Sequence, residues 1–302
     1  CGDINCYDRS SVLPVHATEV GKGIFVMKAA GTAIVLNNLH FSYGHMPVLR
    51  EINLDIGHGE MFAVLGPNGS GKTTLLRVIS GFLKPSMGDV VIESRSIRAY
   101  SRKNLARVLG VLPQEQNVLP TWRVREFVSL GRIPYKSRLE FAFRDEDVQA
   151  VDRALEMMQI EDIQHRRISS LSEGQKQRVM IAMLLAQEVK IMLLDEPTAH
   201  LDMKYKNLVF DALYDIRKSL DITVVACLHD PIIAALYFDR VALLKDGKVY
   251  ALGSPDDTMN PNILSDVYDT RIKVVQDEEI GVPLAYAVPI SRSARDNVDE
   301  EA

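Results

Sequence analysis

The chain of 302 residues has no apolar run near the roughly eighteen residues needed to cross a bilayer; Val179 to Ala186 is a run of only eight. Its first residues lack the pattern of a secretory signal. Excess basic charge is missing too: the formal net charge is −5, which gives no electrostatic footprint for a general nucleic-acid binder. Cysteine is scarce. Three residues cannot make a disulfide framework, and Cys1 and Cys6 have no metal-ligand company around them. Cys227 sits inside the apolar run Thr223 to Leu228 and reads as a reduced core residue. There is no internal repeat, and no heptad run lies between Gln114 and Leu171. What remains, 47% hydrophobic and 25% charged residues, is the make-up of an ordinary globular protein.

Against that plain background stands Gly66-Pro67-Asn68-Gly69-Ser70-Gly71-Lys72-Thr73-Thr74, which fits the P-loop pattern. An apolar run, Met61 to Leu65, precedes it as a buried strand, and Leu75 to Ile79 begins a helix, the context this motif requires. Glycines let the backbone wrap an anion so that several N–H groups and a helix N-terminus point at phosphate oxygens. Lys72 is placed to reach the β- and γ-phosphates, and the Thr73 hydroxyl to ligate Mg²⁺. Ile191-Met192-Leu193-Leu194-Asp195-Glu196 is a hydrophobic strand that delivers two carboxylates to the sheet edge where phosphates bind. Asp195 is the candidate for the Mg²⁺ shell and Glu196 for polarising an attacking water.

Alternating patterns predict strands at Ile34 to Tyr43, Val48 to Ile56, Asp89 to Glu93, Ile191 to Leu194, Ile222 to Leu228 and Arg240 to Lys245. Leu105 to Leu112 is a further apolar segment, and Asp246-Gly247 signals a hairpin leading to Val249 to Ala251. Helical spacing appears at Val124 to Leu130, Glu146 to Met158, Gly174 to Gln187, Tyr205 to Lys218 and Pro231 to Phe238. Val148, Val151, Leu155 and Met158 read as one apolar helical stripe that packs into a core. Strands alternating with helices predict an α/β sheet covered on both faces, with the helical block at about 120–190 inserted as a subdomain.

Leu171-Ser172-Glu173-Gly174-Gln175-Lys176-Gln177-Arg178 closely resembles the signature sequence of ATP-binding-cassette (ABC) ATPases. Glu173 departs from the usual glycine, while Ser172, Gly174 and Gln175 match the positions that face nucleotide in that family. Other family elements follow in order. Gln114 matches the Q-loop, Asp202 the D-loop with an unusual His200 before it, and His229 the switch histidine. Tyr43 resembles the aromatic residue that stacks on adenine; Phe41 is the competing core aromatic. The resemblance spans about residues 33–255 and implies a P-loop NTPase core sheet with an antiparallel β subdomain and an inserted α-helical subdomain. It also implies ATP and Mg²⁺ as ligands, with Thr73, Gln114 and Asp195 around the metal and Glu196, His229 and Gln114 in catalysis. One signature and one P-loop per chain imply two copies sandwiching two ATP molecules.

Three classes of relative compete: a transporter subunit, a soluble ABC ATPase, and a P-loop regulator without turnover. A single compact cassette with Glu196 in place favours the transporter subunit. Thr121 to Tyr135, with Val124-Arg125-Glu126 and Gly131-Arg132-Ile133-Pro134-Tyr135, resembles the segment after the Q-loop in importers of iron–siderophore, haem, cobalamin and related metal chelates. Molybdate or tungstate import is a neighbouring alternative, and a plain helix stop and turn is the structural one. This resemblance implies transmembrane permease subunits as partners, a substrate-binding protein indirectly, no nucleic acid, and a peripheral location on the cytoplasmic face of the inner membrane. Gln114 to Tyr135 is expected to dock on the permease through an apolar centre of Val118, Leu119, Trp122 and Val124 rimmed by Arg123, Arg125 and Arg132. The expected boundaries are a poorly ordered extension at 1–30, the cassette at 31–290 and a polar acidic tail at 291–302.

Overall fold

The computed structural model describes residues 31–114, 121–137, 142–199 and 201–289. The expected extension at 1–30 and tail at 291–302, like Val118, Leu119 and His200, lie outside them.

The chain opens with two long antiparallel strands, β1 (Thr32–Tyr43) and β2 (Met46–Gly57), followed by the short, fully buried β3 (Met61–Leu65). Helix α1 (Lys72–Ile79) leaves the glycine-rich turn, and β4 (Met87–Ile92) and β5 (Arg95–Ser96) return to β1. The apolar segment at Leu105 to Leu112 divides into the end of the short helix α2 (Arg102–Leu105) and the strand β6 (Leu109–Leu112). Then come α3 (Val124–Ser129), α4 (Asp145–Met157) and α5 (Glu173–Ala186), the helical block expected from the sequence. The alternating half follows: β7 (Ile191–Asp195), α6 (Met203–Leu220), β8 (Thr223–Cys227), α7 (Pro231–Tyr237), β9 (Arg240–Lys245) and β10 (Lys248–Gly253). Two short helices, α8 (Pro255–Thr258) and α9 (Pro261–Tyr268), and a hairpin of β11 (Ile272–Gln276) and β12 (Pro283–Ala287) complete it.

Six strands form the central sheet in the order β10-β9-β3-β8-β7-β6, parallel except for the β9–β10 hairpin. Asp246 and Gly247 both take positive φ in that hairpin turn, as the Asp-Gly pair predicts. Strands β3, β7 and β8 are buried at every residue because both sheet faces are covered. The side chains of β3 divide accordingly. Met61, Ala63 and Leu65 join a core with α5, α6 and α7, whereas Phe62 and Val64 join a second core with α1 and the antiparallel sheet β2-β1-β4-β5. The fold is thus the mixed α/β cassette expected, with its antiparallel β layer and helical block.

One stripe is corrected. Val148 is 39% exposed, and the buried face of α4 runs through Asp147, Ala150, Val151, Ala154 and Leu155 to Met158 beyond the helix. The first turn of α4 turns a carboxylate inward, where Arg132 waits for it at 2.9 Å.

Candidate nucleotide site

The P-loop begins where β3 reaches the sheet edge. Gly66 has φ 148°, and a Cβ there would stand 2.2 Å from the Leu244 carbonyl oxygen and 2.9 Å from Ser70 Oγ, so only glycine fits. Gly71 caps α1 with φ 105°. Between them the Lys72 ammonium folds back onto the Gly66 and Pro67 carbonyl oxygens at 2.7 and 3.1 Å. Lys72 is 6% exposed, and burial lowers its pKa against the pull of Cys227, Glu196 and Asp195. Ser70 is buried as well, and its Oγ has no hydrogen-bond partner among the described residues. A buried, unpaired hydroxyl beside a poorly solvated ammonium and the N-terminus of a helix is a cradle for an anion.

β7 ends beside this cradle. Thr73 Oγ1 donates to Asp195 Oδ1 at 3.1 Å across 122 residues of sequence. Burial raises the Asp195 pKa; the Thr73 hydrogen bond pulls it back, Glu196 pushes it up, and Arg77 and Lys72 oppose. Glu196 sits in the left-handed region at φ 50°, with its N–H on the Cys227 carbonyl of β8 at 3.1 Å. Both of its carboxylate oxygens are held: Gln114 Nε2 donates to Oε2 at 2.8 Å, and His229 Nε2 lies 2.5 Å from Oε1. Residues 82 and 33 positions away thus converge on one carboxylate. The backbone bond to β8 and the two side-chain contacts together fix the Glu196 carboxylate at the sheet edge.

The residues present suit a hard cation. Asp195 and Thr73 offer oxygen ligands side by side, and the Gln114 amide oxygen remains after its nitrogen is committed to Glu196. Among the described residues no group of three or more His, Cys, Asp or Glu side chains could hold a metal ion. Mg²⁺ here would therefore lean on phosphate oxygens as well, the usual arrangement for this ion.

The signature residues form a separate cluster. Ser172 caps α5 in a reciprocal box with Gln175: Gln175 N–H donates to Ser172 Oγ at 3.3 Å and Ser172 N–H to Gln175 Oε1 at 3.1 Å. Glu173, the departure from the pattern, points outward and pairs with Lys176 at 2.6 Å, so its side chain leaves the helix start unobstructed. Asp202 caps α6 through the Tyr205 N–H at 3.0 Å. Among the described residues no hydrogen bond joins Ser172 or Gln175 to the P-loop. Tyr43 lies at the end of β1, 46% exposed, with its ring edge-on to the buried Phe41 at 4.8 Å. Phe41 is the core aromatic and Tyr43 the available one.

The segment after Gln114 behaves differently from the docking surface expected. Val124 is fully buried, and Arg132 is 4% exposed, committed to Asp147, Glu188 and the Ala186 carbonyl oxygen. Both belong to the internal packing of the helical block. Gly131 explains its neighbour: a Cβ there would stand 2.3 Å from the Met183 carbonyl oxygen, so glycine lets the turn approach α5 closely enough for Arg132 to reach inward. Trp122, Arg123, Arg125, Glu126, Phe143 and His165 instead line an open groove of about 500 Å³. The sequence reading missed Tyr205 and Lys206, which carry no motif of their own but pack between motif residues.

A parallel sheet with this cradle defines a P-loop nucleotide-binding cassette. The ABC transporter family profile matches residues 49–199. Hemin import ATP-binding protein HmuV of Thermobifida fusca is 37% identical over 279 residues, 91% of this chain and 96% of its own. Ferric enterobactin transport ATP-binding protein FepC of Escherichia coli is 35% identical over 256 residues, 85% of this chain and 93% of its own. Among solved structures, a chain of a metal-chelate type ABC transporter in an inward-facing conformation superposes with TM-score 0.76 at 26% identity, covering 86% of this chain and 99% of that one. MJ0796, a bacterial ABC transporter cassette of dimeric structure, gives TM-score 0.65 at 31% identity, covering 73% of this chain and 98% of that one. The chain belongs to the ABC transporter family as an ATP-binding subunit, an ATPase coupled to transport.

Proposed function

We propose that this cassette, residues 31–290, drives import of a metal-chelate type substrate such as an iron–siderophore, haem or cobalamin, working as a homodimer beneath transmembrane permease subunits. The names of its relatives support that substrate class. In this reading the chain is peripheral on the cytoplasmic face of the membrane, and a substrate-binding protein feeds the permease. No helix among the described residues is long and apolar enough to span a membrane.

The P-loop from Gly66 to Thr74 holds the ATP phosphates, and Tyr43 stacks on the base. Lys72 exchanges its carbonyl partners for phosphate oxygens, which relieves a cation held below its ordinary pKa by burial. Ser70 Oγ gains the acceptor it lacks. Mg²⁺, held by Thr73, Asp195 and Gln114 together with phosphate, would neutralise charge on the β- and γ-phosphates. Glu196 accepts a hydrogen bond from the attacking water and orients it, once His229 turns from the carboxylate toward the γ-phosphate. Ser172, Gly174 and Gln175 of the second copy close the site from the opposite side, supplying N–H groups and a helix N-terminus to the transition-state charge.

The convergence of Gln114 and His229 on Glu196 carries this reading, because it ties the nucleophile-orienting carboxylate to the two residues that would sense metal and phosphate. Glu196→Gln is expected to keep ATP affinity, lose hydrolysis by about 10²-fold or more, and accumulate as an ATP-bound dimer in size-exclusion chromatography. A variant that stays monomeric at saturating ATP, while wild type turns over, contradicts the sandwich.

A further inference from the structure

The signature helix is not held by its own cap alone. A Cβ built on Gly174 would stand 2.8 Å from Tyr205 Cδ1, 2.9 Å from Cγ and 3.3 Å from Cε1, so the Tyr205 ring lies on the glycine's Cα. Tyr205 is in the first turn of α6, its N–H held by the Asp202 carboxylate at 3.0 Å. The next residue, Lys206, reaches the other way: its ammonium pairs with Asp230 at 3.7 Å, and Asp230 caps α7 directly after His229. A cavity of about 320 Å³ lies between Lys206, Asp230, His229 and Glu196. The first turn of α6 therefore touches the start of the signature helix on one side and the residues around Glu196 on the other.

We propose that Tyr205 is a positioning residue that sets the signature helix for the ATP held by the partner copy. The inference rests on the composite-site reading above, in which Glu196 and His229 serve the chain's own ATP while Ser172, Gly174 and Gln175 serve the partner's. Gly174 has then a second reason to be glycine: any side chain would push the helix start off the Tyr205 ring and move the N–H groups that face the phosphate. A displacement on the order of 1 Å at such donors costs up to about 10²-fold in rate. Because Tyr205 acts on the signature, its loss should be felt at the site its chain completes in trans and hardly at the site its chain fills with its own P-loop.

Mixed dimers separate these two sites. A Lys72→Ala chain can donate only a signature, and a Ser172→Arg chain only a P-loop, so their mixture forms one working composite site. Tyr205→Ala added to the Lys72→Ala chain is expected to lower the restored hydrolysis about tenfold, while the same change in the Ser172→Arg chain leaves it within about twofold. Tyr205→Leu, which keeps apolar bulk without the flat ring, should show the same asymmetry, and Tyr205→Phe should restore both arms. Equal losses in the two arms for both Tyr205→Ala and Tyr205→Leu, or loss only with the P-loop donor, overturn the positioning role and leave the composite site standing. If the unaltered mixture restores no hydrolysis, the composite site itself fails and the inference falls with it.

Discussion

At the scale of single residues, the candidate site places two charges where the fold alone does not want them. Burial lowers the Lys72 pKa and raises that of Asp195, so each is held partly against its charged form. A carboxyl whose folded pKa lies above its unfolded value weakens the fold once pH passes the unfolded value, where the unfolded chain ionises more readily. Asp195→Asn is therefore expected to raise the melting temperature of the nucleotide-free chain at pH 7 while lowering Mg²⁺-dependent hydrolysis by about 10²-fold or more. Differential scanning calorimetry without nucleotide, paired with a phosphate-release assay, checks both halves. A melting temperature that falls would mean that the Thr73 hydrogen bond outweighs the buried charge. These candidates are legible because phosphate chemistry restricts the choice of side chain: the P-loop pattern in its strand–helix context picks out Lys72 and Thr73, and the apolar strand that ends in two carboxylates picks out Asp195 and Glu196. The clamp on Glu196 was not, since nothing local in Gln114 or His229 says which carboxylate each will meet.

At the scale of elements, the turn between α3 and α4 shows why a motif can be read correctly as a pattern and incorrectly as a surface. Gly131-Arg132-Ile133-Pro134 resembles an importer segment, yet its arginine serves packing. The Arg132 guanidinium bridges Asp147 of α4 and Glu188 after α5, at 2.9 and 2.7 Å, and lies 4.0 Å from the centre of the Tyr135 ring. Burial raises the Asp147 carboxyl pKa, but the Arg132 hydrogen bond and the Arg144 N–H together overcome it, and the net shift is downward. Removing one partner of a buried pair strands the other, so Arg132→Ala should cost about 3 kcal/mol of stability. The sign with pH follows. A carboxyl with a depressed folded pKa contributes fully above its unfolded value, about 3.9, and loses that contribution as pH falls through the folded value below it. Urea unfolding at pH 7 and near pH 3 should show the gap between wild type and Arg132→Ala narrowing in acid; a gap that does not change with pH would assign the loss to packing alone. Of the apolar stripe on α4, Val151, Leu155 and Met158 pack into the core as expected, and Val148 alone turns outward. Periodicity includes Val148 because it is hydrophobic, whereas its neighbour Asp147 is the first-turn residue that faces inward, toward Arg132. Strands β3, β7 and β8 are legible because full burial makes them near-continuous apolar runs, broken only by Asp195 and Thr223 at their ends, while the closing elements from α8 to β12 are short and half-exposed, with too little periodicity to announce themselves.

At the scale of the whole molecule, the question is how a change at Glu196 leaves the cassette. Gln114 holds Glu196 and precedes α3 in the chain, so in the proposed reading a change at that carboxylate would leave the cassette through Gln114. With Val124 and Arg132 turned inward, the open surface among the described residues of this block is the groove of Trp122, Arg123, Arg125, Glu126, Phe143 and His165. Its walls are fixed. Arg125 is tied to Asp152 and Gln164 at 2.6 and 2.8 Å, and the Arg123 guanidinium to the His165 carbonyl oxygen at 2.6 Å, so the groove is braced before any partner arrives. In the proposed reading the permease docks here, because an apolar floor under a charged rim has the make-up of a protein interface. Cysteines introduced at Glu126 and His165 should therefore cross-link to the cytoplasmic loops of the permease in membranes that contain both subunits. Adding ATP should change the yield by a few fold, because Gln114 holds Glu196 and stands shortly before Trp122 and Arg123 in the chain, and Gln114→Ala should abolish that ATP dependence while leaving the cross-link itself. Efficient cross-links only to soluble proteins, with the permease present and untouched, would detach this cassette from import.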